Sequence, residues 1–246
     1  MATQLSVNLN KIALLRNSRG RDFPSLVNFG EIALDAGAKG LTIHPRPDQR
    51  HARYDDIDPL KQLVARYPGA ELNIEGNPTP EFLKQVLLYQ PHQCTLVPDD
   101  PNQLTSDHGY DLDKDSDLLA PIINELKLAG IRVSLFMDPI PGNMAKAKLI
   151  GADRVELYTE GWAESFGTDD QEVQLSTYRV AALTARQQGL EVNAGHDLDL
   201  ANLATFLTIP DIAEVSIGHA LTIEALYSGY GDVVSRYSAI CSNSGS

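Results

Sequence analysis

Short apolar runs recur eight times along the chain, and the intervals between them carry helical spacing. The runs are LSVNLN (5 to 10), GLTIH (40 to 44), ELNIE (71 to 75), QCTLVP (93 to 98), RVSLFMD (132 to 138), RVELYT (154 to 159), EVNAGH (191 to 196) and EVSIGH (214 to 219). Each has the length of a strand. Between them, Leu119, Ile122, Ile123 and Leu126 follow the i, i+3, i+4, i+7 rule of an amphipathic helix, and Leu200, Leu203 and Leu207 follow it in part. Glycine marks the passage from helix to strand in DAGAKGLTI, YPGAELNI, LAGIRVSL, IGADRVEL and QQGLEVNA, as expected where a helix closes just before a strand.

The repeated unit is therefore strand then helix. Parallel strands need helical crossovers, and eight such units, each of roughly 30 residues, predict an α/β fold of the (β/α)8 barrel type. An open doubly wound sheet is the competitor, and periodicity alone does not separate the two. No linker or shift in composition marks a second domain, so residues 1 to 246 read as a single barrel domain. The tail CSNSGS (241 to 246) reads as frayed. Residues 99 to 114 and 160 to 172 read as long loops after strands 4 and 6, of the kind that serve as lids or as inert insertions.

Charge narrows the partners. Lys plus Arg number 20 against 33 Asp plus Glu, a net charge of −13, which disfavours general attraction to nucleic acid or to an anionic membrane and makes any anion site a local feature. Cys94 and Cys241 have no CxxC or Cys/His cluster around them, so neither a disulfide framework nor a structural metal site is expected. The start MATQLSVNLNK lacks a basic segment followed by a long apolar run, and no stretch of about 18 apolar residues occurs. A cytoplasmic enzyme or binding protein is the expectation.

Active sites of such barrels form at the C-terminal ends of the strands. Those ends carry Asn8 and Asn10, His44 and Arg46, Glu75, a polar loop after Pro98, Asp138, Glu156, His196, and His219 after Gly218. A lone His or Glu at a strand end is more often a cap or a surface group. Convergence on one rim changes that weighting, because Glu75 and Glu156 lie inside strand patterns where unpaired carboxylates are costly. Neutral His and ionised Glu held out of bulk water can pass protons in both directions. Arg19, Arg46 and Arg50 offer planar donor forks, and the turns AGHD and IGHA place backbone N–H groups ahead of helices, so a phosphorylated small molecule is the expected ligand. No GxxxxGK[ST], GxGxxG, GxSxG or HExxH occurs. The strand-2 end is His-x-Arg rather than His-x-His, and Lys11 is the only lysine near a strand end, which weakens hydrolase and Schiff-base readings.

Together, VNLNKIALLRNSRG, GLTIHPRPDQRH, LNIEGNPTPEF, TLVPD, RVELYT, VNAGH and IGHA resemble the pyridoxine 5′-phosphate synthase family, in order from about residue 5 to residue 229. The resemblance implies a (β/α)8 barrel assembled as a homo-octamer, with no metal and no organic cofactor. It implies two phosphorylated substrates, 1-deoxy-D-xylulose 5-phosphate and 3-amino-2-oxopropyl phosphate, condensed with release of phosphate and water. By motif, His44, Glu75 and His196 would be the acid/base groups and Glu156 the carboxylate that steadies charged intermediates. Asn8, Arg19, Gly218 and His219 would hold the amino-ketone phosphate. Asn10, Lys11, Arg46, His51 and Thr105 would face the deoxyxylulose phosphate, with Ser106 able to take the place of Thr105.

Two departures stand out. Asn10-Lys11 replaces the Asp-His of many members, and Asp197 replaces a usual Gly on the substrate side. A carboxylate at 197 would repel a phosphate unless it turned away, as an N-cap for a helix beginning near Leu198 would. Two other functions fit the same residues. One is a metal-dependent sugar-phosphate isomerase or epimerase with His44, Glu75, Glu156 and His196 around a divalent ion; the other is a non-catalytic barrel that binds a phosphorylated metabolite.

Overall fold

The computed structural model describes residues 2–99, 103 and 106–244. Its strands are β1 (Gln4–Asn8), β2 (Gly40–Ile43), β3 (Glu71–Gly76), β4 (Gln93–Leu96), β5 (Arg132–Met137), β6 (Arg154–Tyr158), β7 (Glu191–Gly195) and β8 (Ile212–Ile217). They pair in parallel in sequence order, and β1 also pairs with β8 through Leu5↔Val215 and Val7↔Ile217, which closes the barrel. The doubly wound alternative is thereby overturned. Around the barrel run α1 (Asn10–Asn17), α2 (Leu26–Asp35), α3 (Ile57–Val64), α4 (Pro80–Tyr89), α5 (Leu112–Leu128) and α6 (Pro141–Leu149). The second half adds α7 (Glu160–Ser165), α8 (Gln171–Gln187), α9 (Leu203–Phe206), α10 (His219–Ser228) and α11 (Tyr230–Asn243).

Local chemistry explains the boundaries. Thr79 caps α4 by accepting the Phe82 N–H at 3.3 Å with Pro80 in the first turn, and Ser25 caps α2 through the Asn28 N–H. The glycines of the five helix-to-strand motifs, at 37, 69, 130, 151 and 189, all take φ between 77° and 104°, a region that other residues enter at a cost.

Alternation along the strands sorts the residues into two environments. One parity, including Leu5 and Val7, Leu41 and Ile43, Leu72 and Ile74, Val155 and Leu157, belongs to the main hydrophobic core that packs against the helices. The opposite parity faces the barrel interior and is largely polar: Ser6, Thr42, Asn73, Thr95, Ser134, Glu156, Asn193, Glu214 and Ser216 are all buried. Four of them form a chain of hydrogen bonds, through Ser6–Thr42 at 2.7 Å, Asn73 to Thr42 at 3.4 Å and Thr95 to Asn73 at 3.1 Å. Barrel interiors of this class are usually filled by branched apolar side chains; here the main apolar seal lies outside the strands.

The N-terminal end of the interior is plugged by charge. Arg132 pairs with Glu71, Arg154 with Glu191 at 2.6 Å, and both arginines donate to Gln93 Oε1 at 3.0 Å.

Three sequence expectations need correction. Residues 160 to 172 are not a loop: α7 fills the start of this stretch and buries Trp162, whose ring packs 5.5 Å from Phe166 and 6.1 Å from Phe206. The 99 to 114 segment gives way to α5 at Leu112, capped by Asp111, and Tyr110 is pinned by its N–H to Phe136 O at 3.0 Å and its hydroxyl to Val97 O at 2.9 Å. The tail is not frayed from 241. Helix α11 runs to Asn243 because Val233, Val234, Tyr237 and Cys241 form one buried stripe, and Ser244 Oγ accepts the Thr3 N–H at 3.1 Å. The polar letters of CSNSGS conceal that stripe. Among the described residues no helix is long and apolar enough to cross a membrane.

Deleting residues 241 to 246 should lower the thermal midpoint by about 5 °C, from roughly 2 kcal/mol of lost burial and hydrogen bonding. A calorimetric scan of the truncated chain checks this, and an unchanged midpoint would restore the frayed tail.

Candidate active site

A cavity of about 490 Å³ opens at the C-terminal ends of the strands. His44, Glu75, Glu156 and His196 line it, together with Asn8, Asn10, Lys11, Arg46, His51, Asp197, Gly218 and His219. Arg19 stands apart in the exposed turn after α1, outside the cavity wall, and Thr105 lies outside the described residues. Ser106 lines the cavity. The wall also includes Val97, Phe136 and Ser216, which the sequence reading passed over. Interior parity along β4, β5 and β8 is the signal that would have found them. Val97, Phe136 and Tyr158 make a small apolar cluster separate from the main core.

The first three strands knit their functional groups together. Asn8 Nδ2 donates to Glu75 Oε2 at 3.3 Å, and Asn8 Oδ1 accepts the Asn10 N–H at 3.0 Å. Asn10 is the first residue of α1 rather than the end of β1, and its Oδ1 accepts the His44 N–H at 2.9 Å. The Asn10 amide thus serves as an acceptor, a role that a carboxylate in its place would also fill. Gly218 must be glycine, because a Cβ there would meet Asn8 Cβ at 2.9 Å and Asn8 O at 3.0 Å where β8 passes β1.

The segment after β2 is held from both sides. Arg16 grips Asp56 bidentately (2.5 and 2.9 Å) and donates to His51 O, while Asn17 Nδ2 reaches His51 O at 2.8 Å and Arg50 O at 3.0 Å. Arg46 is buried in an ion pair with Asp99, and Ser106 Oγ donates to the same carboxylate at 2.9 Å. Arg46 Nη1 and Arg50 Nη2 both donate to Gln103 O, at 3.1 and 2.6 Å. Arg50, one of the three donor forks read from the sequence, is part of the cavity wall. His51 Nδ1 accepts the Ala52 N–H at 3.0 Å, which assigns the proton of the neutral ring to Nε2.

On the opposite wall, Gly195 leaves room for Glu156: a Cβ at 195 would overlap Glu156 Oε1. His196 follows with φ of 99°, a strained conformation for a side chain that persists only when its surroundings hold it. The holders are Asp197, whose Oδ2 lies 2.7 Å from His196 Nδ1, and Tyr158, edge-on at 5.2 Å between ring centroids. Asp197 is thus not an N-cap: the helix after β7 starts at Leu203, with Asn202 before it, and the carboxylate turns to the histidine. Asp138, at the end of β5, accepts the Gly109 N–H at 3.2 Å and is not part of the cavity wall.

Burial and neighbours set the protonation states. His44 is held well below the usual histidine range, first by burial and then by Arg46, His51 and Arg50. His51 is pushed down to about 4 by burial, Arg46 and Arg50, and His219 is lowered by burial and Lys11. All three are neutral at pH 7. Glu75 is driven well above the carboxylate range by burial and by Glu156, and its residual exposure is to the cavity. Glu156 is raised to about 8 by burial and by Glu214. Two carboxyl groups walled into one space do not both ionise at neutral pH. The site therefore holds bases and acids side by side, a Glu that keeps its proton next to histidines that have lost theirs.

Glu156→Gln should change stability in one direction with pH. The Glu156 carboxyl ionises near 4.5 when unfolded and near 8 when folded, so the native state loses stability as pH rises from about 4.5 to about 8, by up to roughly 1.4 kcal/mol per pH unit. The glutamine variant should match the parent near pH 4 and exceed it at pH 8. Urea midpoints at the two pH values check the sign; equal differences would contradict the raised pKa.

A family model for the pyridoxal phosphate biosynthesis protein PdxJ matches residues 5–243. A pyridoxine 5′-phosphate synthase from Brucella anthropi is 50% identical over 97% of this chain and 99% of its own length. One from Albidiferax ferrireducens is 49% identical over 96% of both. Among solved structures, 3-hexulose-6-phosphate synthase from Salmonella typhimurium superposes with a TM-score of 0.65 at 14% identity, covering 97% of this chain and 98% of that one, a likeness of fold alone. With a family match over nearly the whole sequence and relatives at half identity end to end, the chain belongs to the PdxJ family.

Proposed function

We propose that this barrel is a pyridoxine 5′-phosphate synthase, condensing 1-deoxy-D-xylulose 5-phosphate with 3-amino-2-oxopropyl phosphate to pyridoxine 5′-phosphate, phosphate and water. The observation that carries the reading is the set of buried acid and base groups, His44, Glu75, Glu156 and His196, in one cavity large enough for small phosphorylated molecules. It joins end-to-end relatedness to chains named for this activity. An assembly of eight copies and a cytoplasmic setting belong to the same proposal.

The chemistry asks for such a set. Imine formation, enolisation, loss of phosphate and dehydration each move a proton at a different atom, so several placed groups are needed. His44, kept neutral first by burial and then by Arg46 beside it, accepts a proton without first losing one. Glu75, protonated in the resting site and tied to Asn8, delivers one and takes one back. His196, steered by Asp197 and Tyr158, works from the β7 side. Glu156 passes its proton to the intermediate above it, and the carboxylate left behind steadies the positive charge so formed. For the phosphates, the nearby donors are Lys11, Arg50, neutral His51 through Nε2, and the Gly218–His219 start of α10. Arg46, already engaged by Asp99, fixes the loop that carries His51. Arg19, in the exposed turn after α1, lies outside the wall of this cavity.

Product formation by the purified chain from the two phosphates tests the proposal. Glu75→Gln should lower kcat by about 10³-fold with the fold intact; full activity would remove the role given to Glu75, and no product from the well-folded parent would sink the whole reading. The metal-dependent isomerase alternative predicts sensitivity to chelation. Among the described residues no group of three or more His, Cys, Asp or Glu is placed to hold a metal ion, and synthase activity should survive dialysis against a chelator.

A further inference from the structure

Below the cavity lies a third carboxylate that the synthase chemistry does not use. Glu214, on β8, is buried, as is Glu156 on β6, and Asn193 of β7 is the register partner of both. The two carboxyl groups have unequal company. Glu214 Oε1 accepts from Gln93 Nε2 and from Asn193 Nδ2, each at 3.3 Å, and its Oε2 lies 3.6 Å from Arg154 Nη1. Among the described residues Glu156 has one hydrogen-bond contact, a long one of 3.5 Å to the Thr95 hydroxyl, and no cation pairs with it.

Donors and a cation stabilise an ionised carboxylate, whereas burial without them favours the neutral acid. The negative charge of this pair therefore belongs on Glu214 and the proton on Glu156. The layer also offers what a neutral acid needs. Asn193, the register partner of Glu156, has a buried Oδ1 with no hydrogen-bond partner among the described residues, so an acceptor stands open on the strand beside Glu156. We infer that Glu214 is a positioning residue for the reaction: clamped by Arg154, Gln93 and Asn193, it keeps the proton on Glu156 in the resting enzyme.

The surrounding charges agree. From β3, Glu75 adds a further acidic neighbour above Glu156. Arg132 on β5 spends its charge on Glu71, and Arg154 divides its charge between Glu191 and Glu214. Both of these arginines are thus engaged by Glu71, Glu191 and Glu214 rather than by Glu156. The charge of Glu214 acts on Glu156 in the same sense, upward, while Arg154 opposes the rise that burial gives Glu214 itself. The catalytic meaning, an acid stored for release when a cationic intermediate forms, rests on the synthase reading, whereas the charge assignment does not.

Infrared difference spectroscopy on the ligand-free protein tests it without turnover. At pH 7 the parent should show a protonated carboxyl C=O band that is lost in Glu156→Gln and shifted in Glu156→Asp. In Glu214→Gln the midpoint at which this band disappears should fall by about one pH unit, and Glu214→Asp, which keeps the charge, should restore most of the shift. The pH profile of kcat should move the same way in Glu214→Gln with KM within about twofold of the parent. Absence of the band in the parent at pH 7 overturns the proposal even if no Glu214 variant folds. A band whose midpoint is unmoved or raised in Glu214→Gln overturns it equally. Loss of product formation with the infrared shift intact would instead count against the synthase reading.

Discussion

An ionisable group inside a protein must be paired, hydrogen-bonded or neutral, because an uncompensated buried ion costs several kcal/mol. This barrel meets that constraint along its whole axis. Residues of one strand parity seal the helices to the sheet with apolar side chains. The other parity builds a polar column, from the arginine and glutamate plug at the bottom, through hydroxyls and amides, to the carboxyl and imidazole groups at the mouth. With the hydrophobic stabilisation carried outside the strands, the inside is left for chemistry, and the unfavourable environment of Glu75 and Glu156 is what tunes them.

The same economy governs the rim. Backbone groups and side chains that would otherwise need solvent are used to orient neighbours: Asn10 holds the His44 backbone, Ala52 fixes the tautomer of His51, and Asp197 steers a histidine whose own backbone is strained. A mobile side chain loses conformational freedom on meeting a ligand, whereas these groups have already lost it.

The fold was legible because eight strand-like runs and five closing glycines repeat on a fixed theme, and the site was largely legible because the barrel rule converts strand ends into one rim. What stayed hidden depended on partners far apart in sequence. Asp138 and Glu75 look alike as acidic strand ends, yet Asp138 meets the Gly109 N–H and turns from the cavity. Asp99 reads as a loop residue until Arg46, 53 positions earlier, is seen to bury against it. Arg19 follows the familiar motif but sits in an exposed turn. The tail deceived by composition, since a single buried stripe outweighs its serines.

The seam between β1 and β8 has a consequence for how the molecule comes into being. Its register joins residues near 5 to residues near 215, the longest-range pairing in the sheet, and the groups of the cavity are drawn from position 8 to position 219. Closing so long a loop is entropically the latest contact to become favourable. A nascent or half-refolded chain can thus hold most of its helices while possessing no catalytic mouth at all. Asn8 finds Gly218, and the walls face each other, only when the ring shuts.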